Sequence, residues 1–79
     1  MIAELRFTND YTLERFREFA TAYKDEISVE IDDFDIVTIY TSFRLVWLRD
    51  SNLNIYCSID FGADIQFDCQ MDELSEIEF

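Results

Sequence analysis

Along residues 2–7 apolar and polar side chains take turns. Ala3, Leu5 and Phe7 share one phase, and Glu4 and Arg6 the other. A period of two marks a half-buried strand, so residues 2–7 are expected to form one. The period then lengthens. Leu13, Phe16, Phe19, Ala20 and Tyr23 recur at helical spacing, behind Thr8, Asn9 and Asp10 as candidate caps, which predicts an amphipathic helix over residues 10–25. Its outer face carries Glu14, Arg15, Arg17, Glu18 and Lys24. Strands are expected from residue 27 onward. Ile27, Val29 and Ile31 alternate with Ser28, Glu30 and Asp32, and Asp32-Asp33 suits a tight turn. Between Asp35 and Asp50 both phases are apolar, as in strands covered on both sides, and this places Trp47 in the core. Asp50-Ser51-Asn52 turns the chain, and residues 53–61 alternate again. After Gly62, the apolar phase Ala63, Ile65, Phe67, Cys69 and Met71 opposes Asp64, Gln66, Asp68, Gln70 and Asp72, which reads as one two-faced strand. Residues 72–79 are sparsely apolar and are expected to add a helical turn or a frayed end. The fold class is α+β, with one amphipathic helix packed on a small antiparallel β-sheet in a single domain over residues 1–79.

Composition narrows what such a domain can do. The 79 residues carry 18 Asp and Glu against 6 Lys and Arg, a formal net charge of −12, yet 49% are hydrophobic and 16% aromatic. That apolar content separates the chain from acidic disordered segments. Residues 25–79 hold 14 of the acids and only two basic residues, Arg44 and Arg49. No apolar run is long enough to span a membrane, and residues 1–10 lack the features of a signal peptide, so a cytoplasmic protein is expected. Direct binding to nucleic acid or anionic membrane is disfavoured by charge, which leaves a basic protein surface as the expected partner. The absence of His removes imidazole bases and ligands, and a single Gly leaves no phosphate-cradling loop. A domain this small has little interior for a desolvated carboxylate pair, so no enzymatic activity and no cofactor are expected.

Cys57 and Cys69 both fall on apolar phases and read as buried thiols, in preference to a cross-strand pair brought together by a hairpin centred near Ala63. Asp50-Ser51-Asn52-Leu53-Asn54 imitates the start of a calcium loop, but Ile55 stands where Gly is needed and Phe61 where Glu is needed, so a turn is preferred and no metal is expected. Glu30, Asp32, Asp33 and Asp35 read as a solvated hairpin in preference to a chelating cluster. A radius of gyration of about 12 Å is expected for this length, and so a body about 30 Å across. Duplex DNA of that length carries about 18 charges, at one per ~1.7 Å, so this chain approaches DNA in charge density. On a continuous last strand, Asp64, Asp68 and Asp72 would stand about 13 Å apart. Solubility needs a charge magnitude of only about 2 to 8, and the excess repels itself. The candidate partner-binding residues are therefore Glu30, Asp32, Asp33, Asp35, Asp60, Asp64, Asp68, Asp72, Glu73 and Glu76.

In its size, its one helix beside a small sheet, and its acidic stretch from Asp25 to Glu78, the chain resembles small phage-borne inhibitors that imitate DNA. Among these it is most similar to anti-CRISPR proteins of type I systems, in particular the type I-C class. No shared motif anchors the likeness, so no contact residue is carried over from it. The resemblance implies that the acidic surface occupies the basic site by which the interference complex reads DNA flanking its target, and so blocks DNA recruitment. The same charge would suit an inhibitor of a restriction enzyme, nuclease or glycosylase. A separate reading is an immunity-type module that grips one specific protein through Tyr40, Trp47 and Tyr56 as aromatic anchors. A monomer is expected, with self-association through an open sheet edge as the alternative.

Overall fold

A computed structural model describes residues 2–79. The first strand, β1, runs over Ala3–Phe7 and buries Ala3, Leu5 and Phe7, as its alternation demands. Helix α1 follows at Asp10–Ala22. Asn9 caps it, its Oδ1 accepting from the Thr12 N–H at 2.8 Å and from the Thr12 hydroxyl at 2.9 Å. The helix stops at Ala22, short of residue 25, because the Tyr23 carbonyl accepts from both Glu26 and Ile27 amides and turns Ile27 into the core. Asp25 and Glu26 would also meet the negative end of the helix dipole.

Six further strands complete the chain: β2 (Val29–Ile31), β3 (Val37–Ile39), β4 (Arg44–Arg49), β5 (Ile55–Gly62), β6 (Ile65–Gln70) and β7 (Leu74–Glu78). They form two antiparallel sheets, where the sequence had suggested one. The four-stranded sheet has the order β2-β3-β1-β7 and the three-stranded sheet β4-β5-β6. One face of α1 bridges them. Phe16, fully buried, packs against Phe7 of the first sheet at 5.3 Å between ring centroids and edge-on to Phe67 of the second at 5.0 Å. Leu5, Val37, Ile39, Cys57, Ile59 and Cys69 complete the surrounding core.

The strand expectations hold in type and shift in extent. The last two-faced segment is shorter than its alternation suggests. Gly62 at φ 87°, Ala63 at 53° and Asp64 at 62° form the β5–β6 turn, so β6 begins only at Ile65 and stops at Gln70. That turn does centre the hairpin near Ala63 and sets Cys57 directly opposite Cys69 as free, buried thiols. Residues 71–73 make a single 3-10 turn, and Leu74–Glu78 then pairs with β1 as a strand, which corrects the expected helical or frayed tail. Trp47 is also corrected. It lies on β4, an edge strand, and is 52% exposed, because no further strand among the described residues lies beside it to cover its rim of the sheet.

Candidate binding surface

With Ala3, Leu5 and Phe7 turned into the core, Glu4 and Arg6 of β1 face outward. Strand pairing then decides what stands beside them. Glu4 is opposite Thr38 of β3, which is opposite Glu30 of β2; on its other side Glu4 is opposite Glu78 of β7. One row across the sheet therefore reads Glu30, Thr38, Glu4, Glu78. The next row sets Arg6 opposite Glu76, with 3.8 Å between Nε and the carboxylate, an ion pair longer than a hydrogen bond. Four carboxylates thus share one sheet face with one guanidinium. Glu4 and Glu78 meet with Cβ atoms about 5 Å apart, a like-charge juxtaposition that destabilises a sheet. A shallow groove on this face is lined by Glu4, Arg6, Ile36, Glu76 and Glu78. At its margin the Tyr40 hydroxyl donates to Glu30 at 3.1 Å. That hydrogen bond and the Glu30 charge, with Glu4 adding to them, push the Tyr40 phenol above its usual range.

The acids singled out from sequence are dispersed over several surfaces. Glu30 and Glu76 lie on the glutamate face just described. Asp33 and Asp35 are exposed in the β2–β3 turn, whose conformation Asp32 holds by accepting from the Phe34 and Ile36 amides. At the tip of this turn Phe34 is 77% exposed between the two aspartates. Asp60, on β5, accepts from the Gly62 N–H at 2.8 Å and from Arg44 Nε at 3.0 Å. Those bonds hold its carboxyl below the usual range and engage it internally. Asp64 sits in the β5–β6 turn, Asp68 on the outward face of β6, and Asp72 in the 3-10 turn. The expected ladder of Asp64, Asp68 and Asp72 on one strand is therefore not formed, because β6 contains only the middle one. Glu73 accepts from the Gln70 amide at 2.7 Å and caps that short turn.

Glu4 and Glu78, which complete the glutamate row, are the residues sequence reasoning missed. Glu4 had a local signal, the polar phase of β1, whereas Glu78 lies in a segment whose apolar residues Leu74 and Ile77 keep no strand period. What joined them was the pairing of strands some seventy residues apart, which no local period reveals. Among the described residues, three ion pairs engage Glu14, Asp60 and Glu76, and leave the remaining carboxylates without a basic partner. The Asp50 carboxylate closes its own loop by accepting from the Asn52 and Asn54 amides, which lowers its pKa and accounts for the ligand-like spacing as a turn. No protein-family model matches the chain, and no curated protein or solved structure is significantly similar to it.

Proposed function

We propose that this chain is a non-enzymatic inhibitor that uses the glutamate face of its four-stranded sheet to occupy a basic, DNA-reading surface on another protein. The observation that carries this reading is the direct opposition of Glu4 and Glu78 across β1 and β7. Like charges placed there weaken the isolated fold, and the loss is recovered when a partner supplies Arg or Lys above them. Spacing supports the same reading. Glu76 and Glu78 are about 6.8 Å apart along the strand, or roughly two axial phosphate steps of a DNA strand, while neighbouring strands lie about 4.8 Å apart across the sheet. The body measures 34 × 28 × 23 Å, so its charge of −12 is spread over a length where duplex DNA carries about 20 charges.

Likeness to the acidic anti-CRISPR proteins makes the DNA-reading site of a type I interference complex the first target to test, ahead of restriction enzymes, nucleases and glycosylases. Tagged protein would be used as bait in a bacterial lysate with active CRISPR and restriction systems, with excess duplex DNA in half the samples. The expected result is capture of a DNA-binding complex that the DNA displaces. Charge reversal of Glu4→Lys with Glu78→Lys should reduce capture at least tenfold, whereas Asp64→Lys with Asp68→Lys on the other sheet should leave it within about twofold. Equal capture by folded Glu4/Glu78 variant and wild type, or a partner indifferent to DNA, would overturn the proposal.

A further inference from the structure

The acids are absent from one long stretch of the chain: residues 36–49 contain Arg44 and Arg49 but no Asp or Glu. Folding places the end of this stretch at β4, an edge of the three-stranded sheet, where its outer backbone groups have no partner strand among the described residues. Edge strands in soluble proteins are usually guarded by charge, proline or a covering segment. Here the middle of the strand is Leu45-Val46-Trp47-Leu48, with Trp47 52% and Leu48 41% exposed. Phe79 stacks on Phe43 at 6.0 Å and so covers only the approach to the strand.

From this edge we infer that two copies of the chain associate by antiparallel pairing of β4 with β4, joining their three-stranded sheets into one of six. Charge selects both the occupant and the register. For two bodies each at −12, the acid-free edge is where close approach meets least repulsion. A two-fold axis normal to the sheet pairs residues on the same face and so passes through one residue; Val46 and Trp47, the two middle residues of β4, give the fullest pairing. Centred on Val46, the pairing sets Arg44 opposite Leu48 and leaves both arginines without an acid. Centred on Trp47, it sets Arg44 of each copy opposite Asp50 of the other, Val46 opposite Leu48, and the two tryptophans against each other. Arg44 has capacity for this second acid: its side chain is 77% exposed and only Nε is bonded to Asp60.

Trp47 is the sole tryptophan, so the interface contains its own reporter. Sedimentation equilibrium or light scattering across a concentration series, at about 0.05 M and 0.5 M NaCl, should show mass rising from 9.5 kDa to twice that value, more readily at high salt because screening relieves repulsion. Tryptophan emission should shift to the blue and become harder to quench in step with the mass. Trp47→Glu should weaken association at least tenfold, and Leu48→Lys, on the opposite face of the same strand, should do likewise if the first variant fails to fold. A monomer at every concentration and salt would overturn the inference. So would a dimer whose tryptophan emission stays constant, or folded variants that associate as the wild type does. The acidic-face interaction responds to salt in the opposite direction, so the two proposals fail separately.

Discussion

Phe16 shows how much of this small fold depends on one side chain. Fully buried, it lies within 6 Å of Phe7, Phe19 and Phe67, which belong to three different elements. Truncation there removes contacts that neighbouring rings cannot recover by collapse. Phe16→Ala is expected to cost about 3–5 kcal/mol, a large share of the roughly 4–12 kcal/mol available to a domain of this length, and the urea midpoint should fall accordingly. Asp60 gives a second, pH-dependent test. Its folded pKa lies below the unfolded value of 3.8, chiefly through the Gly62 amide and then Arg44. Its contribution is therefore present above that value and lost as pH falls through the lower folded pKa. Asp60→Asn should lower the urea midpoint near neutral pH, and the difference from wild type should shrink as pH is lowered below about 4. At this scale the sequence was informative where burial follows phase. Cys57 and Cys69 are buried as the alternation indicates, the β5–β6 hairpin also sets them opposite each other, and burial pushes the Cys69 thiol up to about 12. It was misleading where burial depends on neighbours: Trp47 belongs to an apolar run, but only strand order reveals that its strand is at an edge.

Elements differ in how much of them is written locally. The helix and β1 each repeat a strong period, the helix behind a recognisable Asn9 cap, and both form where expected apart from their outer boundaries. β7 has no such period. Leu74 and Ile77 are three apart, and a register shift between Arg6 and Phe7 lets both pack on β1 despite that spacing. Its existence is a consequence of β1 having an open side, which a reading along the chain does not reach. The strand order also ranks local stability. β1 is paired on both sides, whereas β2 and β4 each have one partner. Native-state hydrogen exchange should find the amides of Leu5 and neighbouring β1 residues among the slowest, and outward-facing amides of β4 among the fastest of the strand residues. Comparable protection in β1 and β4 at concentrations where the protein is monomeric would contradict this ranking.

Across the whole molecule the dominant feature is charge held in excess of what its few cations neutralise. Three ion pairs among the described residues of a body at −12 leave the folded state under self-repulsion, and compaction brings Glu4 and Glu78 closer than an unfolded chain would. Thermal midpoints should therefore rise as NaCl is raised from about 0.01 to 0.5 M, since the Debye length shrinks from about 30 Å to below 8 Å. The Glu4→Gln/Glu78→Gln variant should be more stable than wild type at low salt and respond less to added salt. A wild-type midpoint that is flat or falls with salt would mean that the acidic face is not strained.

The antiparallel pairing of β1 with β7 has a mechanical consequence. Because Glu4 faces Glu78 while Phe7 faces Leu74, the two strands run so that the outer ends of both lie side by side. A pulling force applied at Ala3 and Glu78 opens that ladder like a zipper, loading its hydrogen bonds one after another instead of all together in shear. Peeling away β7 strips one side of β1 and uncovers the core beneath Leu5. A motor that pulls on the chain through Ala3 or Glu78 would then meet a sequence of small obstacles, and the domain should yield to threading at low force even where its equilibrium stability is substantial.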